Sequence, residues 1–223
     1  RRLDEPTGPI TPQPRPRPSP PLGLRPRALS VTEISKWQSD PYGIFAKHIL
    51  KLRALDPLDA ARDNAERGQL LHKVFEIFTS QYPAQLPPHA YEVLIQIGRT
   101  VFDAAGDHPD IQGHWWPRFT QTAQAVIAHE TVWRANMVQA YTEQDGVLDI
   151  ALSDGTPMRL RGRADRIERT RTGGWAIIDY KSGSAPTKAD VESGREPQLP
   201  LLGWMLQSGA FDAHMPAPAV GSI

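Results

Sequence analysis

The stretch Gly162-Arg163-Ala164-Asp165-Arg166-Ile167 is followed, across Thr170 to Gly174, by Trp175-Ala176-Ile177-Ile178-Asp179-Tyr180-Lys181-Ser182-Gly183. β-Branched and aromatic residues suit a pleated surface, and a connection holding two glycines suits a tight reversal. The pattern predicts a hairpin of two strands, Met158 to Glu168 and Trp175 to Lys181. In the simplest register Arg169 faces Trp175, and Asp165 falls opposite Asp179. Side chains alternate along a strand, so Asp179 and Lys181 share one face and Tyr180 takes the other. Directly opposed like charges destabilise a sheet, and two close carboxylates do not both ionise cheaply. A divalent cation removes that conflict, because carboxylates are the hard oxygen ligands that Mg²⁺ prefers. Lys181 then stands beside the cation, where its ammonium can stabilise charge developing on a phosphodiester or orient an attacking water. The plainer alternative is a polar strand end entering a turn, with Asp165 merely a surface partner of the neighbouring arginines.

Working outward, Val147 to Leu152 reads as a third strand, joined to the hairpin by a turn at Asp154-Gly155. A helical stretch follows from Leu199 to Gln207. The N-terminal half is helical. Ser30 or Thr32 can cap a first helix, with Glu33 in its first turn. Pro41 interrupts, Tyr42 to Leu52 continues, and Asp56-Pro57 marks a loop. A long helix is expected from about Ala60 to Tyr82, with Leu70, Leu71, Val74, Phe75, Ile77 and Phe78 as its apolar stripe. Residues 89–105 and 117–141 give two more helices, separated by Gly106, Pro109 and Gly113. Helices, three antiparallel strands and a closing helix make a mixed α/β or α+β domain.

Nine of the 22 prolines lie in the first 26 residues. Residues 1–27 therefore read as an extended Pro/Arg-rich linker, with a basic arm on DNA phosphates as the alternative. The ordered domain is expected over residues 28–223. Hydrophobic residues make up 39% of the 223, enough for a core, and Lys plus Arg balances Asp plus Glu at 25 each. That balance advertises neither nucleic acid nor membrane, but leaves room for a local basic patch. With no cysteine, a disulfide, a thiolate zinc site and a cysteine-ligated iron–sulfur cluster are excluded within this chain. No signal-peptide core and no membrane-length apolar run is visible, so a soluble, cytoplasmic chain is expected. No phosphate-binding loop of an ATP motor is present. Arg159, Arg161, Arg163, Arg166, Arg169 and Arg171 form a basic run along the hairpin. Its default reading is a solvated face; beside a phosphodiester site, Arg161, Arg163 and Arg166 are candidates for the DNA backbone. Trp115-Trp116 could stack on bases, or pack at a helix start. His72, one helical turn beyond Gly68, is by itself either a core histidine or a metal ligand.

Four of these segments together resemble the RecB-type branch of the PD-(D/E)XK nuclease superfamily. They are Gly68-Gln69-Leu70-Leu71-His72, the Gly162–Ile167 strand, Ile177-Ile178-Asp179-Tyr180-Lys181-Ser182-Gly183, and Gln198-Leu199-Pro200-Leu201. The segment from Leu29 to Leu58 is further similar to the AddB family of the alphaproteobacterial type. The resemblance implies a restriction-endonuclease-like core with a central mixed sheet flanked by helices. It implies a Mg²⁺-dependent DNA exonuclease, with Mn²⁺ as a substitute, in a helicase–nuclease that processes double-strand breaks beside an AddA-type helicase subunit. It also implies metal ligation by His72, Asp165, Asp179 and the Tyr180 carbonyl, with Lys181 catalytic and Gln198 arranging the site. The rival expectation is a module of the same fold that grips DNA or its partner without cutting. In two places the chain departs from the family. Asp40 stands where many AddB proteins carry a cluster cysteine, so another means of pinning the termini is needed. Leu202 replaces the aromatic after the Gln-Leu-Pro-Leu run, with Trp204 nearby. Further strand and helix are expected beyond Ile223.

Overall fold

The structure, a computed structural model, describes residues 14, 17–53, 55, 64–106, 108–211 and 215. The expected Asp56-Pro57 loop and the helical start at Ala60 lie outside these. A short strand β1 (Ala28–Ser30) leads into helix α1 (Val31–Ser39) through a capping box. Ser30 Oγ accepts from the Glu33 amide at 3.1 Å, and the Glu33 carboxylate accepts from the Ser30 amide at 2.9 Å. Two orphan donors at the helix start are thereby satisfied reciprocally. Asp40 ends α1 and caps α2 (Pro41–His48), accepting from the Gly43 amide at 3.1 Å. Glu33 also ties the two helices together, through Lys47 Nζ at 2.6 Å and His48 Nε2 at 2.8 Å.

Helices α3 (Asn64–Gln81), α4 (Ala90–Ala104) and α5 (Trp116–Trp133) enclose one core of Val74, Phe78, Leu94, Phe102, Ile111 and Phe119, all 2% exposed or less. Trp115 is buried there, and Trp116 packs on Phe102 and Phe119 with Arg99 over its ring. Of the two readings of this tryptophan pair, packing is the one observed. Gly106 closes α4 at φ +97, a conformation glycine adopts without a Cβ penalty.

The sheet holds β2 (Met137–Ala151), β3 (Pro157–Thr170) and β4 (Trp175–Ile178) besides β1. β2 and β3 form a long antiparallel ladder whose turn places Gly155 at φ +74. β4 pairs with β3 in the register read from the loop length, Arg169 opposite Trp175 and Arg166 opposite Ile178. β1 pairs with β3 in parallel, Ala28 to Arg159 through Ser30 to Arg161. Because β2 flanks one edge of β3 throughout, β1 and β4 share the other. Residues 162–165 lie between them and pair with neither. Helix α6 (Lys188–Glu192) and helix α7 (Gln198–Gln207) follow, and α7 closes a second core with Val31, Leu160, Ala164, Ile167, Trp175 and Phe211. Both ends of the described domain are pinned to this sheet, β1 on β3 and Phe211 bridged to Gly146.

Three expectations are corrected. The helix read as 117–141 stops at Trp133, and β2 begins at Met137 rather than Val147. No Pro or Gly marks this switch, and pairing with Glu168–Thr170 overrides the local helical preference. β4 ends at Ile178, so Asp179, Tyr180 and Lys181 lie on irregular backbone past the strand. The three antiparallel strands are joined by parallel β1, too short to declare itself locally. No described helix is long and apolar enough to cross a membrane.

Candidate active site

The candidate residues meet where β3 is unpaired on one edge. Leu160 and Ala164 face the α7 core, and so does Ile167. Between them Asp165 reaches His72 on α3, and Arg166 reaches Glu130 on α5. Regular alternation would separate these two neighbours. The break coincides with Glu143 on β2, flanked by the pairs Thr142–Arg166 and Gln144–Ala164. Glu143 holds φ +51, which is costly for a residue with a Cβ. The kink turns its carboxylate toward Asp165 and His72, and ligand atoms of the three all lie within 4.8 Å of one another.

His72 Nε2 donates to the Tyr180 carbonyl at 2.7 Å, and its Nδ1 stands 3.4 Å from Asp165 Oδ2. The hydrogen bond to Asp165 raises the imidazole pKa above the ordinary 6.5, against the opposing effect of burial. Asp165 Oδ2 also accepts from the Tyr180 amide at 2.8 Å. Asp179 is met by Lys181 Nζ at 2.5 Å and by Gln198 Nε2 at 2.6 Å, while Gln198 Oε1 accepts from Lys181 at 3.0 Å. Burial pushes the Asp179 carboxyl up most, Lys181 pulls it down, and Asp165 adds to the rise; the net is upward. Burial also raises Glu143, with Arg163 opposing and Asp165 adding. The donor set of one nitrogen and several carboxylate oxygens suits a hard divalent cation.

Gly68 lies under this loop. A Cβ there would stand 3.0 Å from Ser182 Oγ, and the neighbouring Arg67 donates to the Ser182 carbonyl at 3.1 Å. Gly162 lies under α7, where a Cβ would come within 2.8 Å of Leu202 and 2.9 Å of Met205. Leu202 is thus a core residue at 1% exposure, whereas Trp204 on the same helix is 42% exposed.

The arginines separate. Arg166 is 1% exposed and forms a two-point pair with Glu130 at 2.8 and 3.0 Å. Its expected place on the DNA backbone is therefore corrected: the guanidinium does not reach the surface. Arg161 and Arg163 are exposed; Arg163 pairs with Glu143 at 2.6 Å, and the Arg161 side chain has no hydrogen bond or ion pair among the described residues. Arg161 and Arg163 line a groove of about 420 Å³ with Ser30, Val147, Gly162 and Gln198, and Gln198 is bonded to both Asp179 and Lys181. Glu143 is the residue that sequence reasoning missed. Its one signal is register, opposite Asp165, and that register needs β2 to reach back to Met137.

A family model described as the PD-(D/E)XK nuclease superfamily matches residues 28–221, and the chain belongs to that superfamily. An uncharacterized protein of Rickettsia bellii is 32% identical over 194 residues, covering 86% of this chain and 23% of the relative. One of Rickettsia conorii is 33% identical over 190 residues, covering 83% and 23%. An ATP-dependent helicase/deoxyribonuclease subunit of Streptococcus equi subsp. zooepidemicus is 25% identical over 204 residues, covering 87% and 18%. The chain thus spans less than a quarter of the length of these relatives.

Proposed function

We propose that this chain is the nuclease domain of an AddB-type subunit, hydrolysing DNA phosphodiesters with Mg²⁺, or Mn²⁺ in its place. The observation that carries the reading is that Gln198, which lines the groove, holds both Asp179 and Lys181, while Asp165 accepts from the Tyr180 amide between them. Asp165, His72 and Glu143 would hold the cation, with Asp179 and the Tyr180 carbonyl as further ligands. When bound, the cation supplies neutralising charge to a phosphate and makes water more acidic. With a cation bound, Asp179 would no longer need Lys181, its present partner, as counter-charge. The Lys181 ammonium is then available to the phosphate or to the attacking water, and Gln198 keeps it and Asp179 in mutual register. Arg161 and Arg163 meet phosphates of the strand lying in the groove. The name of the streptococcal relative, an ATP-dependent helicase/deoxyribonuclease subunit, supports an association with a helicase; in our reading that partner is of the AddA type and the work is the processing of broken DNA ends for recombination. End-labelled single-stranded DNA incubated with Mg²⁺ is degraded by the wild-type protein and spared by Asp179→Ala or with EDTA. Undiminished cutting by Asp179→Ala would overturn the reading, and binding without cutting by the wild type would make the domain a DNA-gripping module instead.

A further inference from the structure

Behind the site lies a buried ionic cluster that the proposed chemistry does not use. Arg166 and Glu168 are each 1% exposed, and Arg134 and Glu130 are 6% and 7% exposed. Arg166 grips both oxygens of Glu130, contacts Glu168, and donates to the Tyr180 hydroxyl at 3.1 Å. Glu130 is held in turn by Arg134 at 2.5 Å, and Glu168 by the Trp133 indole at 2.6 Å. Taking such charges from water is costly, and buried ion pairs are weak devices for stability alone.

The cluster ends on Tyr180, between Asp179 and Lys181. β4 stops at Ile178, so no strand pairing fixes this segment. The Tyr180 backbone is held instead by two contacts, the amide to Asp165 and the carbonyl to His72. The Tyr180 ring packs on Phe75 at 5.0 Å and edge-on to His72 at 5.9 Å, with its hydroxyl on Arg166. We infer that Arg166 and Glu130 are positioning residues, which clamp the Tyr180 phenol and so fix the backbone that carries Asp179 and Lys181. The catalytic consequence rests on the proposed nuclease reading; the clamp itself does not.

Tyr180→Phe removes only the hydroxyl and keeps the ring in its packing; Glu130→Gln keeps shape and removes charge. Phe211→Leu, in the α7 core on which Tyr180 does not pack, serves as a control for general destabilisation. Amide hydrogen exchange at Tyr180 is expected to accelerate about tenfold or more in Tyr180→Phe and Glu130→Gln but not selectively in the control, because one anchor of a locally ordered segment is lost. In cleavage assays the Mg²⁺ concentration for half-maximal rate is expected to rise about fivefold, with KM for DNA unchanged, as expected when supports behind metal ligands are removed. Exchange at Tyr180 no faster than in Phe211→Leu would overturn the clamp. So would a raised KM for DNA with an unmoved Mg²⁺ midpoint. If the wild-type protein cuts no DNA, the nuclease reading falls, and the exchange comparison still decides the clamp.

Discussion

Replacing Gly162 with alanine tests how the sheet and α7 together build the site. No left-handed backbone is required at Gly162, so space alone opposes the substitution. The new Cβ would stand 2.8 Å from Leu202 Cδ2 and 2.9 Å from Met205 Sδ, whereas carbon contacts are comfortable at about 3.5–4.0 Å. Leu202 and Met205 are 1% and 0% exposed, so neither has free volume to retreat into. Overpacking of this kind costs about 1–3 kcal/mol, offset by about 0.4–1 kcal/mol from the stiffer unfolded chain. A net loss of about 1–2 kcal/mol is expected in urea unfolding. Relief by moving α7 outward would carry Gln198, its first residue, off Asp179 and Lys181, and a misplacement near 1 Å can cost on the order of 100-fold in rate. A double-mutant cycle makes the test sharp. Leu202→Ala alone should cost about 2–5 kcal/mol, yet in the Gly162→Ala background its cost should shrink by about 1 kcal/mol, because the cavity accepts the new methyl. Strict additivity, or a Gly162→Ala protein of unchanged stability and rate, would refute the steric account.

Glu33 is drawn down to about 2 because Lys47, the Ser30 amide and His48 together outweigh the upward push of burial. A depressed folded value stabilises above the unfolded pKa near 4.5 and is lost as pH falls toward 2. Discounted for solvent around Lys47, about 1 kcal/mol should disappear over that window in the wild type and be missing throughout in Glu33→Gln, as read by Tm against pH. His72, raised above 6.5 by Asp165, must give up a proton to ligate a cation. The Mg²⁺ midpoint should therefore fall as pH rises from about 6 to 8, and a midpoint independent of pH would remove His72 from the shell. Glu143→Gln should weaken Mn²⁺ binding about 10-fold or more in a direct titration without lowering Tm in EDTA, since it removes a ligand charge and keeps the shape. Unaltered Mn²⁺ affinity would exclude Glu143 from the site.

Much of this arrangement is legible locally. The short connection between Arg169 and Trp175 fixes the β3–β4 register, and Ser30 with Glu33 spells a capping box three residues apart. What is not legible depends on distant partners. β1 is three residues long and exists only because Arg159–Arg161 offer it an edge. Arg166 reads as one more surface arginine until Glu130, 36 residues earlier, is folded against it. Glu143 has no motif spacing; only the kinked ladder opposite Asp165 brings it in.

The central claim concerns Lys181, because removing it separates chemistry from metal capture. Single-turnover cleavage of end-labelled single-stranded DNA would be measured with Mg²⁺ for wild type and Lys181→Ala, alongside Mn²⁺ binding to each. The account predicts that Lys181→Ala loses cleavage by about 10³-fold or more, the scale of one preorganised charge at a reacting centre, while still binding Mn²⁺. Cleavage by Lys181→Ala at the wild-type rate would contradict it.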